Sequence, residues 1–215
     1  MSGGSGGGSI VSLFDGSTLS GWLPSTGKGV GNAPALWDVQ DSALHCTGTV
    51  RGTLISAKDY GNFRLIFDVR QLPSTGTDNH YASVLIWGTR PPPNDAIGGL
   101  QFGVPNGYFW DYRPGYPGDG AAYFVATKPS AGISRTAWAR CEILAKTSTG
   151  VARMACCSLG TATACQAKEV LKFTDPKAGK VGPVALQAHS AGSHDEYKNI
   201  TIEDNPTVDE LITTR

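Results

Sequence analysis

Short runs in which apolar and polar residues alternate recur along this chain. In FRLIFDVRQL, Phe63, Leu65, Phe67 and Val69 fall on one side and Arg64, Asp68 and Arg70 on the other. That period of two is what a half-buried strand requires. YASVLIWGT, GGLQFGV, GYFWDYR, AAYFVAT, AWARCEILAK, VARMACCSL, QAKEVLKF, GPVALQAH and YKNITIED repeat the style, separated by clusters of Pro, Gly, Asn and Asp. Only the closing TVDELITTR suggests a turn of helix. Many short strands joined by polar turns predict an all-β chain, a β-sandwich or jelly roll in one domain.

Length agrees, since sandwiches of about 200 residues are commonly undivided and this chain has 215. MSGGSGGGS reads as a flexible linker over residues 1–9, ahead of a domain over 10–204 and a tail over 205–215. Eighteen basic and eighteen acidic residues balance, and no Lys/Arg cluster interleaves with aromatics. Nucleic acid is therefore not an expected partner. No apolar run approaches the roughly 20 residues of a membrane span, so no membrane partner is expected either, and the chain is read as a monomer. Cys46, Cys141, Cys156, Cys157 and Cys165 lack paired zinc spacing and favour disulfides, with one thiol left over. Cys157 and Cys165 flank SLGTATA and can bridge a hairpin. Disulfides and the acceptor triplet at Asn199 point to a secreted, extracellular protein.

Candidate chemistry emerges where polar residues interrupt strands. Along GPVALQAH, Val184, Leu186 and Ala188 alternate with Ala185, Gln187 and His189. If the first set faces the core, Gln187 and His189 face outward, where they can bind hydroxyls or move a proton. On the residues alone, a hydrogen-bonded surface strand is the better explanation. Gln101, between Leu100 and Phe102, can share that face. GYFWDYRPGY sets Tyr108, Trp110 and Tyr112 against Phe109, Asp111 and Arg113, a mixture of stacking rings and hydroxyl-gripping charges suited to sugars. In TDNHYASVLIWGTR, His80 is a possible second acid/base or metal ligand, with Trp87 and Arg90 at the far end and Arg90 a candidate substrate clamp. His194, Asp195 and Glu196 form a polar cluster able to hold Ca2+ or another divalent metal, although no defined calcium-loop spacing is present. The Gly-x-Ser-x-Gly elbow, the phosphate loop, the His-Glu-x-x-His pattern and the dinucleotide fingerprint are missing.

LFDGSTLSGW, WDVQDSALHCTG, GTLISAKDYGNFRLIFDVR, KPSAGISRTAWARCEILAK and GPVALQAHSAGSHDEYKNITI occur in the order expected of one family. Together they resemble the 3-keto-disaccharide hydrolase-like domain family. The resemblance implies a concanavalin A-like jelly roll and cleavage of glycosides whose ring carries a ketone at carbon 3. That ketone acidifies the hydrogen on carbon 2, so a base can remove it and the carbon-1 bond can leave by β-elimination, with water adding afterwards. The Gln-x-His of Gln187 and His189 matches the family pattern. Gly99 and Leu100 stand where the family usually has an acidic residue near the Gln, and Asp111 is the expected replacement base, paired with Arg113. The expected function is a glycoside hydrolase or lyase acting on a saccharide: His189 and Asp111 catalytic, and Gln187, Gln101, Arg113, Trp110, Tyr112, Arg90, Trp87 and His80 binding substrate. The alternative is a non-catalytic carbohydrate-binding module or lectin on the same fold.

Overall fold

In the computed structural model, which describes residues 8–26, 29–30, 36–73, 81–89, 98–113, 123–126, 132–160, 165–175 and 179–214, each of those alternating stretches contains a strand. Among the described residues there is no helix, and the closing segment is irregular.

Among the described residues, sixteen strands follow one another. β1 (Ile10–Ser12), β2 (Trp22–Thr26), β3 (Gly29–Val30), β4 (Trp37–Gln40), β5 (Ala43–Cys46) and β6 (Gly52–Tyr60) come first. Next are β7 (Asn62–Gln71), β8 (Ala82–Ile86), β9 (Leu100–Val104), β10 (Tyr108–Asp111) and β11 (Tyr123–Ala126). β12 (Ala139–Lys146), β13 (Val151–Ser158), β14 (Lys168–Thr174), β15 (Gly182–Ala188) and β16 (Asp195–Asp204) complete the set. The first sheet has the order β14-β13-β12-β7-β16-β5-β4, with β1 also on β16. The second runs β11-β10-β9-β8-β15-β6-β2-β3. All the pairings are antiparallel and the two faces pack as a sandwich, the jelly-roll architecture the alternation predicts.

The core between the sheets is the inward set of each strand. Phe63, Leu65, Phe67 and Val69 of β7 meet Val84, Ile86, Leu100, Phe102, Val184 and Leu186 of the second sheet, all buried. Each such side chain contributes about 1.5–3 kcal/mol relative to exposure. Trp22 enters the core with its indole N–H donating to the Leu13 carbonyl at 2.7 Å. Asp15 accepts the amides of Ser17 and Thr18 and shapes the turn before it. Tyr197 crosses from β16 to the second sheet, where its hydroxyl donates to the Ser83 carbonyl at 3.3 Å.

The outer face of the first sheet is covered as well. Arg64 is buried there, donating to Glu142, Glu203 and the carbonyls of Val208 and Glu210. Glu142 accepts in turn from the amides of Ile212 and Thr213 and the Thr213 hydroxyl. These bonds strap the C-terminal segment across the sheet. Two disulfides reinforce this region: Cys141–Cys156 joins directly opposed residues of β12 and β13, and Cys157–Cys165 closes the hairpin after β13. Cys46 is the free, buried thiol, pushed up to about 12 by burial.

Two buried electrostatic features set the stability. Asp111 pairs with Leu100 in register and therefore shares the core-side face of β10. There Arg113 donates from Nε and Nη2 to its two carboxylate oxygens at 2.9 and 2.7 Å and from Nη1 to Asp175, which follows β14. All three side chains are buried, so the group clamps one sheet to the other. Removing one member of such a buried pair leaves an uncompensated charge and costs about 3–5 kcal/mol. Asp111→Asn is accordingly expected to lower the melting temperature by about 10 °C, measured by calorimetry; an unchanged transition would mean that the clamp carries no load.

Asp195 lies inside the sandwich with Oδ1 unpaired, and burial pushes its carboxyl up to about 7 against the pull of Arg135. The folded protein thus holds this proton from about pH 4 to 7 while the unfolded chain releases it, and stability must fall as pH rises through that window. Thermal scans from pH 4 to 8 should show the decline in wild type, and Asp195→Asn should flatten it. A variant that keeps the full slope would place its origin elsewhere.

Candidate functional site

Alternation gives the second sheet two very different faces. One is the core. On the other, pairing register aligns Ser25, Thr53, Gln187 and Ser83 directly across β2, β6, β15 and β8. The line continues through Gly103 of β9 to Tyr108 of β10. The neighbouring line is Leu23, Ile55, Ala185 and Leu85, then Gln101 and Trp110. Ile55, Leu85 and Ala185 make a small apolar cluster apart from the main core. A row of hydroxyls and amides thus lies beside an apolar strip and ends in aromatic rings.

The centre of this face is enclosed. Ser25, Thr53, Ser83, Gln101 and Gln187 are all at most 4% exposed. Gln101 donates from Nε2 to the Ser83 hydroxyl at 3.1 Å, and Ser83 donates to the Tyr81 carbonyl. Among the described residues, five buried side-chain atoms lack a hydrogen-bond partner: Trp37 Nε1, Asp195 Oδ1, Thr53 Oγ1, Gln101 Oε1 and Gln187 Oε1. Three of the five sit together here. Buried polar groups are almost always satisfied, so neighbouring orphans mark where ligand hydroxyls or ordered water belong.

The rim is aromatic and half-buried. Tyr81 lies 4.7 Å from Tyr108, which lies 6.3 Å from Trp110, and the Arg135 guanidinium sits 4.5 Å over Tyr81. Gly103 eases this packing, because a Cβ there would fall 3.3 Å from Tyr108 Cβ, a tight approach, and 3.5 Å from Trp110 Cζ3. Burial raises the Tyr112 phenol, opposed by the charge of Arg51.

Of the expected site residues, the structure brings Gln187, Gln101 and Trp110 together on this face. His189 follows the last residue of β15 and Tyr112 the last of β10, and both are half-buried. Asp111 and Arg113 are not brought there. Their alternation with Trp110 sends them to the core side, into the clamp with Asp175, and Asp111 spends both oxygens on Arg113. Trp87 is also relocated. Its backbone is left-handed, φ 54°, which breaks the alternation after Leu85, and its ring is buried in the core with the indole N–H donating to the Gly61 carbonyl at 2.9 Å. His80 and Arg90 lie outside the described residues.

The cluster proposed for a divalent metal also disperses. Asp195 points into the core, Glu196 points out to Arg70, and His194 stacks on His45 with ring centroids 5.6 Å apart. Consecutive strand residues face opposite ways, so these three do not fit one ion. Among the described residues no group of three or more His, Cys, Asp or Glu side chains is arranged to hold a metal.

Sequence reasoning missed Ser25, Thr53, Ser83 and Tyr81. Only the pairing of distant strands puts Ser25, Thr53 and Ser83 in one line, and only that line shows Tyr81, which precedes β8, to belong to its rim.

Comparison with known proteins follows the same outline. A carbohydrate-binding module from Bacillus subtilis superimposes with a TM-score of 0.59 at 14% identity, covering 87% of this chain and 98% of that one. A protein from Parabacteroides distasonis described as a putative glycosyl hydrolase gives 0.58 at 15% identity, with 91% and 99% covered. A lectin from Bauhinia forficata, solved with GalNAc, gives 0.54 at 9% identity, with 93% and 100% covered. At these identities the likeness establishes the concanavalin-type fold. No curated protein matches the chain by sequence. A family model described as a 3-keto-alpha-glucoside-1,2-lyase-like domain, however, matches residues 9–203, and the chain belongs to that family.

Proposed function

We propose that the outer face of the second sheet binds a saccharide and that a glycosidic bond is cleaved there. The observation that carries this reading is the trio of orphaned atoms, Thr53 Oγ1, Gln101 Oε1 and Gln187 Oε1, beside the ring strip of Tyr81, Tyr108 and Trp110. Amide and hydroxyl groups of this kind exchange hydrogen bonds with ring hydroxyls. Aromatic faces cover the apolar C–H side of a sugar. Family membership supports a 3-keto-glycoside as the substrate. His189 is the acid/base. In its neutral form it takes the carbon-2 proton, the carbon-1 oxygen departs with the bonding pair and is protonated, and water adds across the resulting double bond to complete hydrolysis. Gln101 and Gln187 hold the ring in position for that transfer. Residues 10–204 form the acting domain, and the two disulfides support an extracellular setting.

A specific observation favours a second reading, a non-catalytic binding module. The carboxylate expected as base, Asp111, is committed to Arg113 on the opposite side of the sheet. The two readings separate in one experiment: mass-spectrometric analysis of products from a panel of glycosides and their 3-keto derivatives, with His189→Ala alongside. Cleavage lowered at least 100-fold in the variant is the expected result. Saturable binding without cleavage would select the module instead, and neither binding nor cleavage would end the saccharide reading.

Orphaned groups make a further distinction. Gln187→Met and Thr53→Val each remove a buried side-chain oxygen that has no partner, so neither variant should lose more than about 1 kcal/mol of stability. Saccharide affinity should nevertheless fall about tenfold or more, because the discarded atoms are those a ligand would satisfy. Calorimetric unfolding and binding titrations give the two numbers; destabilised variants with intact binding would mark these side chains as structural.

A further inference from the structure

The chain contains one Asn-x-Ser/Thr triplet free of proline at its centre, Asn199-Ile200-Thr201; Asn205-Pro206-Thr207 is excluded by its proline. Such triplets arise by chance, so the local geometry decides whether this one can be used. β16 pairs Lys198 with Asp68 and Thr201 with Ile66, leaving Asn199 and Ile200 as a bulge opposite Phe67. Ile200 turns into the core at 1% exposure. Asn199 turns the other way and is exposed on the outer face of the first sheet. Its φ of 51° is left-handed, a conformation that Asn tolerates better than most residues. One N–H of its amide donates to Asp68 Oδ2 at 2.7 Å. Asp68 is itself fixed by Arg140 at 2.8 and 3.0 Å. The amide is therefore held in one orientation with its second N–H to spare.

We infer that Asn199 is an N-glycan acceptor, with the oligosaccharide projecting from the sheet opposite the polar row. The donor is a lipid-diphosphate-linked oligosaccharide. A bond forms between Nδ2 and the anomeric carbon as the bond from that carbon to the diphosphate oxygen breaks. The amide loses one proton to the transferase's base, and the lipid diphosphate departs. The substituted nitrogen keeps one N–H, enough to preserve the bond to Asp68. The competing explanation is that Asn occupies 199 solely to serve the left-handed bulge and Asp68.

The test is secretion of the full chain behind a signal peptide from a eukaryotic host, followed by intact-mass and peptide analysis before and after an amidase that releases N-glycans and leaves Asp. The expected result is a single oligosaccharide, released with Asp appearing at 199, kept in Thr201→Ser and lost in Thr201→Ala. Asn199→Gly, which retains access to the left-handed bulge, should be secreted without a glycan. Secreted wild type carrying unmodified Asn199 would overturn the inference and leave the bulge geometry as the sole reason for the residue.

Discussion

β15 lies between β6 and β8, and its register is the constraint on which the rest of the structure depends. With Ala185 opposite Ile55 and Leu85, and Gln187 opposite Thr53 and Ser83, the strand delivers Val184 and Leu186 to the core and Gln187 to the polar row. Because side chains alternate, a slip of one residue would send Gln187 into the core and Val184 and Leu186 to the outer face. Core packing therefore specifies the site: the apolar contacts that fix β15 in register also aim its amide. Tyr197 adds to this coupling by reaching through the core from β16 to the Ser83 carbonyl.

The same alternation explains what was legible in the sequence and what was not. The faces of β7 and β15 follow from local pattern, and both are as the pattern requires. So does the division of β10, which the alternation of Tyr108 and Trp110 against Asp111 gives correctly. Chemistry was expected on both sides of that strand, yet only one side belongs to the row. Choosing the side requires knowing that Leu100, the partner of Asp111, faces the core. Trp87 escaped because a left-handed residue ends the strand period, and nothing in IWGT announces that turn. Ser25, Thr53 and Ser83 come from strands far apart in the chain, and short hydroxyl residues carry no signal until their partners are known.

The first sheet solves a different problem. Arg64, Asp68 and Glu142 look from sequence like the solvated face of their strands, yet all three are buried. The segment after β16 lies over Arg64 and Glu142 and supplies carbonyls to one and amides to the other. Polar residues can be buried in this way because each charge meets an opposite charge or a backbone dipole. The charged pattern on β7 and β12 is thus the record of a covering segment contributed by distant residues.

β1 pairs with β16, with Ile10 opposite Glu203 and Ser12 opposite Thr201. The beginning and end of the sandwich are therefore neighbours on one sheet, although nearly the whole domain lies between them. Closing that contact demands a long-range loop, the kind of non-local pairing that slows folding. The covering segment, by contrast, leaves β16 at Asp204 and crosses to the far edge of the sheet, where the Thr213 carbonyl accepts from the Ala167 amide, so a host holding the domain by β1 and this segment would grip the sheet across its width.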